Sequence, residues 1–420
     1  MVVELISVGT ELLLGNIVNT NAQYLAQQCA GLGLSVYYQT CVGDNGKRLS
    51  DAICLALARA DMVILGGGLG PTEDDITKET AAAVWGMELK EDTHTKERIQ
   101  AYFHGREKNI PENNWKQAMV PSGALVLDND NGTAPGLILE KEGKTMILLP
   151  GPPNELIPMF QKSVVPYLKK KRSSALVSVM VKSSGIGESK VAAMLKDLID
   201  SQTNPTIATY AKTGEVDIRV TASAATEKEA GKLVKPVVER IRGVLKEAVF
   251  TTDETVTLEQ EVVRLLDKHG LTLVTAESCT GGLLGGRLVN VAGVSDVYKA
   301  GFITYSNKAK RKYLGVSKNT LKKYGAVSKE TAKEMAKGGV FQTDADVCVA
   351  ITGLAGPGGA TKEKPVGLVY IACYVNDKIQ VKECHFKGNR NKIREQAVIC
   401  ALDTVRRCIL EHYHETARKQ

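Results

Sequence analysis

The chain has 420 residues, which at roughly 100–200 residues per domain allows two to four domains, each large enough to bury a core. Hydrophobic residues make up 43% and charged residues 24%, the balance of a globular chain. The excess of 54 Lys+Arg over 47 Asp+Glu gives +7, which favours anionic ligands such as nucleotides but is too small to predict nucleic-acid binding. The nine cysteines form no C-x-x-C pair and have no metal-like spacing to the six histidines, a pattern that fits a reducing cytoplasm. The start MVVELISVGTELLLG has no basic leader and turns polar too early for a signal peptide. No apolar run reaches the length of about 18 residues that a membrane span requires.

In chain order, residues 1–170 alternate strand and helix signals, as a βαβ layout requires. VVELISV (2–8), LSVYYQTCV (34–42), MVILGGG (62–68) and TMILLPG (145–151) are predicted strands. NTNAQYLAQQCAGLG (19–33) is a predicted helix with Asn19 or Thr20 as cap, KRLSDAICLALARA (47–60) is a second, and a further one starts near Asn154. KSVVPYLKKKRSSA (162–175) reads as a helix end and a basic hinge. Residues 171–252 follow the order strand, helix, strand, strand, helix, a small α+β connector with no cluster that suggests chemistry. Residues 253–420 form a third domain. It opens with an amphipathic helix ending at Gly270, continues through the strands LTLVTAES, DVCVAITGLAG (346–356) and VGLVYIACYV (366–375), and closes with a long helix over 389–414. The expected fold class is α/β throughout, with the connector as its α+β exception.

Two places carry chemistry. In GGGLGPTEDDITKE (66–79), glycines end a strand and acids lead into a helix. Glycines allow backbone N–H groups close to a phosphate, and Asp74 and Asp75 are hard oxygen donors suited to Mg²⁺ or Mn²⁺. Glu11 and Asp44 also follow predicted strands and can join that site, where open α/β sheets bind ligands. An ordinary turn with N-capping carboxylates is the alternative.

In AESCTGGLLGGRL (276–288), a strand delivers Ser278, Cys279 and Thr280 to a glycine turn. The expected helix start offers N–H groups for a developing oxyanion, with Thr280 as its cap. No histidine is well placed to activate a serine, which argues against a Ser-His-Asp triad. A lysine of lowered pKa is the other base, and FITYSNKAKRKYLGV (302–316) supplies Tyr305, Lys308 and Lys310.

GTELLLGNIVNTNA, GGLGPTEDDITKE and LPGPPNEL (149–156), in this order, resemble the amino-terminal domain of the CinA (competence/damage-inducible) family, itself similar to molybdopterin-binding domains. AESCTGG, GFITYSNKAK (301–310), GAVS (325–328), ITGLAGPGG (351–359), EKPVGLVYIA (363–372) and FKGNRNKIREQA (386–397) resemble its carboxyl-terminal domain. The connector is then KH-like. The first resemblance implies a divalent-metal (Mg, Mn or Co) pyrophosphatase that cleaves ADP-ribose to AMP and ribose 5-phosphate. Gly67, Gly68, Gly70, Pro71, Thr72 and Asp75 would line its phosphate loop, and Gly151, Pro152 and Glu155 its rim. The chemistry of carboxylates nominates Glu11, Asp44, Asp74 and Asp75 as metal ligands.

The second resemblance implies a metal-independent deamidase of nicotinamide mononucleotide. Ser278 would be the nucleophile and Lys310 the base, with Tyr305 assisting. Thr280 and Gly281 would lie at the substrate, Thr352 and Gly353 beside the reacting amide, and Arg390 and Arg394 at the phosphate. A cytoplasmic homodimer without membrane or nucleic-acid partners is expected. The competing readings are a nucleotide- or molybdopterin-binding protein and a competence-related interaction protein, each with little catalysis.

Overall fold

The computed structural model describes residues 1–104, 110–171 and 175–417. It divides into two compact units, Met1–Leu176 and Val177–Gln420.

The first unit is built on a six-stranded sheet in the order Ser35–Val42, Val2–Val8, Met62–Gly66, Lys144–Leu149, Gly136–Lys141, Leu125–Leu127. The first four strands run parallel and the last two antiparallel. Met62–Leu65 and Met146–Leu149 are wholly buried, as strands covered on both faces must be. One layer carries Leu25, Cys29 and Phe160; the other carries Leu49, Ile53 and Ala81. The helix Thr20–Gly31 is capped by the Asn19 side chain, which accepts from Ala22 N at 3.0 Å, and Gly46–Arg59 is capped by Asn45. The last helix, starting at Pro153, contains Pro158 and passes through a π turn at Phe160–Val164 before ending at Lys170. Residues 172–174 of the expected basic hinge lie outside the described residues.

The second unit holds the connector and the carboxyl-terminal domain together. The connector sheet runs Thr206–Lys212, Glu215–Ala224, Ala175–Ser184, Val249–Thr251, and the helix Glu227–Leu245 packs on it behind a Thr226/Glu229 capping box. The single helix expected over 188–200 is two, Glu188–Met194 and Lys196–Asp200, separated at Leu195.

The second sheet of this unit runs Tyr298–Ile303, Leu273–Glu277, Val347–Gly353, Leu368–Val375, Lys378–His385. Its first three strands are parallel; the last two are antiparallel. One face is covered by Leu258–Lys268 and the 28-residue helix Arg390–Ala417, the other by Lys329–Thr343. The site of interest sits at the carboxyl ends of the three parallel strands, the common ligand position of such sheets.

Candidate functional site

In the carboxyl-terminal domain, Ser278 is the first residue beyond the strand Leu273–Glu277. Its N–H donates to Ile351 O of the neighbouring strand at 3.0 Å, which places the turn beside Thr352 and Gly353. On the other side, Thr304 N donates to Glu277 O at 2.8 Å. Lys310 lies on the helix Asn307–Leu314, capped by Ser306, and its helical phase buries it with Leu314. Lys310 is 0% exposed, its Nζ is 2.9 Å from Ser278 Oγ, and Lys308 on the same helix is exposed. The lysine that meets the serine is therefore Lys310.

Lys310 Nζ also reaches the main-chain oxygens of Thr304 at 2.8 Å and Tyr305 at 3.4 Å, and among the described residues no carboxylate pairs with it. Burial brings its pKa down to about 8, because an ammonium removed from water loses hydration that carbonyl dipoles only partly replace. Cys279, next to Ser278, packs into the apolar core, and burial pushes its thiol up to about 11. A thiol so placed is a poor nucleophile. Two of the histidines are engaged elsewhere: His269 stacks on Tyr413 and His385 pairs with Glu383.

Two expectations about this turn need correction. The helix starts at Leu283 behind Gly282, with no side-chain cap, so Thr280 is not its cap; the Thr280 hydroxyl is buried and without a partner. Nor is the helix N-terminus free for an oxyanion. The carboxylate of Glu277, 1% exposed, accepts from Gly282 N at 3.0 Å, Leu284 N at 3.2 Å and Gly285 N at 2.9 Å. An anion belongs at that end of the helix dipole, and the protein supplies its own. Sequence reasoning passed over Glu277; an acid closing an apolar strand just before a Gly-Gly helix start was the available signal.

The other candidates surround the pair. Tyr305 is largely exposed and its hydroxyl accepts from Arg390 at 3.0 Å, while the Arg390 fork also donates to Gly356 O at 2.6 Å. Arg394 donates to Cys279 O at 3.1 Å and Thr280 O at 2.7 Å, so it braces the turn itself. Thr352 is buried and donates to Ala326 O at 2.7 Å. Gly281 has φ +62° and the next residue, Gly282, φ +95°, a left-handed pair that lets the chain turn from strand to helix.

In the first unit, Glu11, Asp44, Gly67, Gly68, Gly70, Pro71, Asp74, Asp75, Gly151, Pro152 and Glu155 line one cleft of about 440 Å³. Thr72 does not line it: its backbone N–H and its hydroxyl both donate to the Asp75 carboxylate. The glycines serve close packing before they serve any anion. A Cβ on Gly67 would lie 2.2 Å from Val8 O, and Gly67 N already donates to Leu149 O at 3.0 Å. Capping is not the job of the acids either, because the helix starting at Thr77 has Ile76 at its N-cap and no side-chain cap. Lys116, absent from the expected site, donates to Thr72 O at 2.9 Å and to Asp75 O, and so holds the acidic loop from outside.

As a metal site the four carboxylates fit only one mode. Among the described residues no three His, Cys, Asp or Glu side chains are grouped as a ready-made metal centre. Asp44 accepts from Thr10 N and its hydroxyl, and Asp75 from Thr72. Hard oxygen donors spread along one cleft suit a Mg²⁺-like ion held by one or two carboxylates and completed by a ligand's phosphates, not an all-protein cage.

A molybdopterin-type α/β domain, a small α+β connector and an α/β domain with a buried serine–lysine pair define the class of this protein. Residues 4–170 match the family described as "Probable molybdopterin binding domain", 178–251 "Damage-inducible protein CinA KH domain" and 255–409 "CinA C-terminal domain". A CinA-like protein of Kosmotoga olearia is 52% identical over 410 residues, covering 98% of this chain and 99% of that one. A competence-damage inducible protein of Clostridium beijerinckii is 52% identical over 411 residues, covering 98% and 100%. The solved structure of a competence/damage inducible protein from Agrobacterium tumefaciens is 43% identical over 35% of this chain and 91% of its own, with a TM-score of 0.35. The chain belongs to the CinA family. Its KH segment contains no G-x-x-G spacing, the loop with which KH domains clamp nucleic acid. Among the described residues no helix is long and apolar enough to cross a membrane.

Proposed function

We propose that the carboxyl-terminal domain hydrolyses the carboxamide of nicotinamide mononucleotide, giving nicotinate mononucleotide and ammonia. The 2.9 Å contact between Lys310 Nζ and Ser278 Oγ at a buried position carries this reading. A neutral amine has two N–H bonds and one lone pair. The carbonyls of Thr304 and Tyr305 take the two N–H bonds, which leaves the lone pair for the Ser278 hydroxyl. With a pKa of about 8, roughly a quarter of Lys310 is neutral at pH 7.5.

In the first step Ser278 Oγ attacks the carboxamide carbon as Lys310 takes the hydroxyl proton. Lys310 then passes that proton to the departing nitrogen, ammonia leaves, and an ester to Ser278 forms. In the second step Lys310 removes a proton from water, which attacks the ester carbon, and the proton returns to Ser278 Oγ. Glu277 consumes the helix N-terminus, so those N–H groups are not the donors to the developing oxyanion. Arg390 is the cation for the substrate phosphate; Arg394 positions the turn. The test is ammonia release by wild type and Lys310→Met. Loss of about 10³-fold or more with the fold intact supports the assignment, and equal release overturns it.

For the first unit we infer divalent-metal hydrolysis of ADP-ribose. The cleft shared by Glu11, Asp44, Asp74 and Asp75 supports it. A bound ion would neutralise the paired phosphates; the chain's own part is to hold Asp75 through Thr72 and the loop through Lys116. Binding of a pterin phosphate without turnover is the second reading, favoured by the molybdopterin-type match of residues 4–170. Metal-dependent AMP formation separates the two.

A further inference from the structure

Neither reaction uses a pair of thiols in the second unit. Cys384 lies on the strand Lys378–His385 and Cys400 on the helix Arg390–Ala417, with their sulfurs 3.7 Å apart. Both residues line a cavity of about 360 Å³, walled by Gly185 and Ile186 of the KH segment and by Phe386 and Ile399. That volume is in the range of small-molecule sites. Lys382, two residues before Cys384 on the strand, lines the same cavity. Of the remaining cysteines, Cys373 and Cys408 also adjoin each other, but with Cys29, Cys279 and Cys348 they are buried in the core, and Cys41 and Cys54 are exposed on the other unit.

We propose that Cys384 and Cys400 are a thiol–disulfide exchange site, oxidised through this cavity by low-molecular-weight disulfides. Cys400 attacks first. It is the partly exposed member of the pair, whereas Cys384 is buried, and the adjoining Cys384 thiol and the Lys382 ammonium hold its thiol below the ordinary range. The Cys400 thiolate attacks one sulfur of a disulfide RSSR and expels RS⁻, leaving a Cys400–SR mixed disulfide. Cys384 then gives up its proton and attacks the Cys400 sulfur, expelling the second RS⁻. Two protein thiols and RSSR become one protein disulfide and two RSH.

The consequence reaches the serine site. The loop closed between Cys384 and Cys400 contains Arg390 and Arg394, which bind Tyr305, Gly356 and the Ser278 turn. A disulfide brings the sulfurs to about 2.05 Å, closing the gap by roughly 1.6 Å. Whatever part of that closure the side-chain torsions do not absorb displaces the start of the helix from which both arginines project. This coupling rests on the proposed deamidation; the thiol chemistry does not.

The test uses full-length protein carrying Cys41→Ser and Cys54→Ser, glutathione disulfide as the probe, and peptide mapping without reduction. A Cys384–Cys400 cross-link as the main product, reversed by dithiothreitol, is expected. Cys384→Ser should trap glutathione on Cys400, whereas Cys400→Ser should leave Cys384 largely unmodified. Absence of the cross-link, or equal trapping on either cysteine, overturns the site or its order of attack. Ammonia release should fall several-fold on oxidation and recover on reduction. An unchanged rate in the cross-linked protein overturns the coupling alone.

Discussion

The two candidate sites solve opposite electrostatic problems. The cleft of the first unit collects five carboxylates, Glu11, Asp44, Asp74, Asp75 and Glu155, around about 440 Å³ of space and ties Asp44 and Asp75 to neighbouring threonines. It is an acidic cleft that, on the proposed reading, a cation and a ligand's phosphates would complete. The serine–lysine site is complete already. Ser278 and Lys310 touch, and among the described residues no carboxylate pairs with Lys310. A site that needs a shifted pKa is built where water is excluded; a site that needs charged ligands stays open. Glu277 sharpens the contrast: it is equally buried, but its carboxylate accepts three N–H groups, whereas burial brings the Lys310 pKa down to about 8.

Separating the two sites is the most severe test of this contrast. Lys310→Met should reduce deamidation by about 10³-fold or more and leave ADP-ribose cleavage unchanged. It should also raise thermal stability at pH 7, by removing an unbalanced buried amine. The sign follows from linkage. The folded state binds the Lys310 proton less tightly than the unfolded chain, so the penalty is full below about pH 8 and fades as pH rises towards the ordinary lysine range. Melting curves of wild type and variant from pH 6.5 to 10 should therefore converge, and parallel curves would contradict the buried ammonium.

Glu277→Gln should cost about 1.5–3 kcal/mol in denaturant unfolding and about tenfold or more in ammonia release, because the helix start loses its charge-assisted acceptor. In the first unit, Asp75→Ala should reduce AMP formation by about 10²-fold or more without touching ammonia release. Unchanged AMP formation would remove Asp75 from the site. Thr72→Val, which frees Asp75 but keeps its charge, should cost about tenfold, read as the metal concentration needed for half-activity. The smallest effect concerns pH: kcat/KM for ammonia release should rise with pH, pass half its maximum near 8 and level off about one unit higher, as Lys310 loses its proton.

Much of this was legible in the residues, for physical reasons that differ by place. The buried strands Val2–Val8, Met62–Gly66 and Leu273–Glu277 announce themselves as short apolar runs ended by glycine or polar residues. Asn19 announces its helix as a cap. Ser278 and Lys310 emerge from motifs, but their contact bridges 32 positions and depends on two strands and a helix phase. The choice between Lys308 and Lys310 was available in part, since Lys310 shares a face with Leu314 at i, i+4. In residues 80–144 the strands Leu89–Glu91, Met119–Pro121 and Leu125–Leu127 went unseen because three residues are too few for periodicity, and the helix Thr93–Phe103 and the strand Gly136–Lys141 were missed as well. Lys116 lies in the short 3-10 helix Glu112–Ala118 and reaches Thr72 across 44 positions, a contact that no local pattern announces. Thr280 and the helix N-terminus were misread because an N-cap signal does not reveal a competing carboxylate eight positions before the amide it binds.

The most direct test of the central claim is ammonia release from nicotinamide mononucleotide by wild type and Ser278→Ala, with EDTA present. Release by wild type that persists in EDTA and vanishes in Ser278→Ala, with the same melting temperature for both proteins, is the predicted result. No release from folded wild type, or release that survives in Ser278→Ala, would contradict the serine–lysine deamidase.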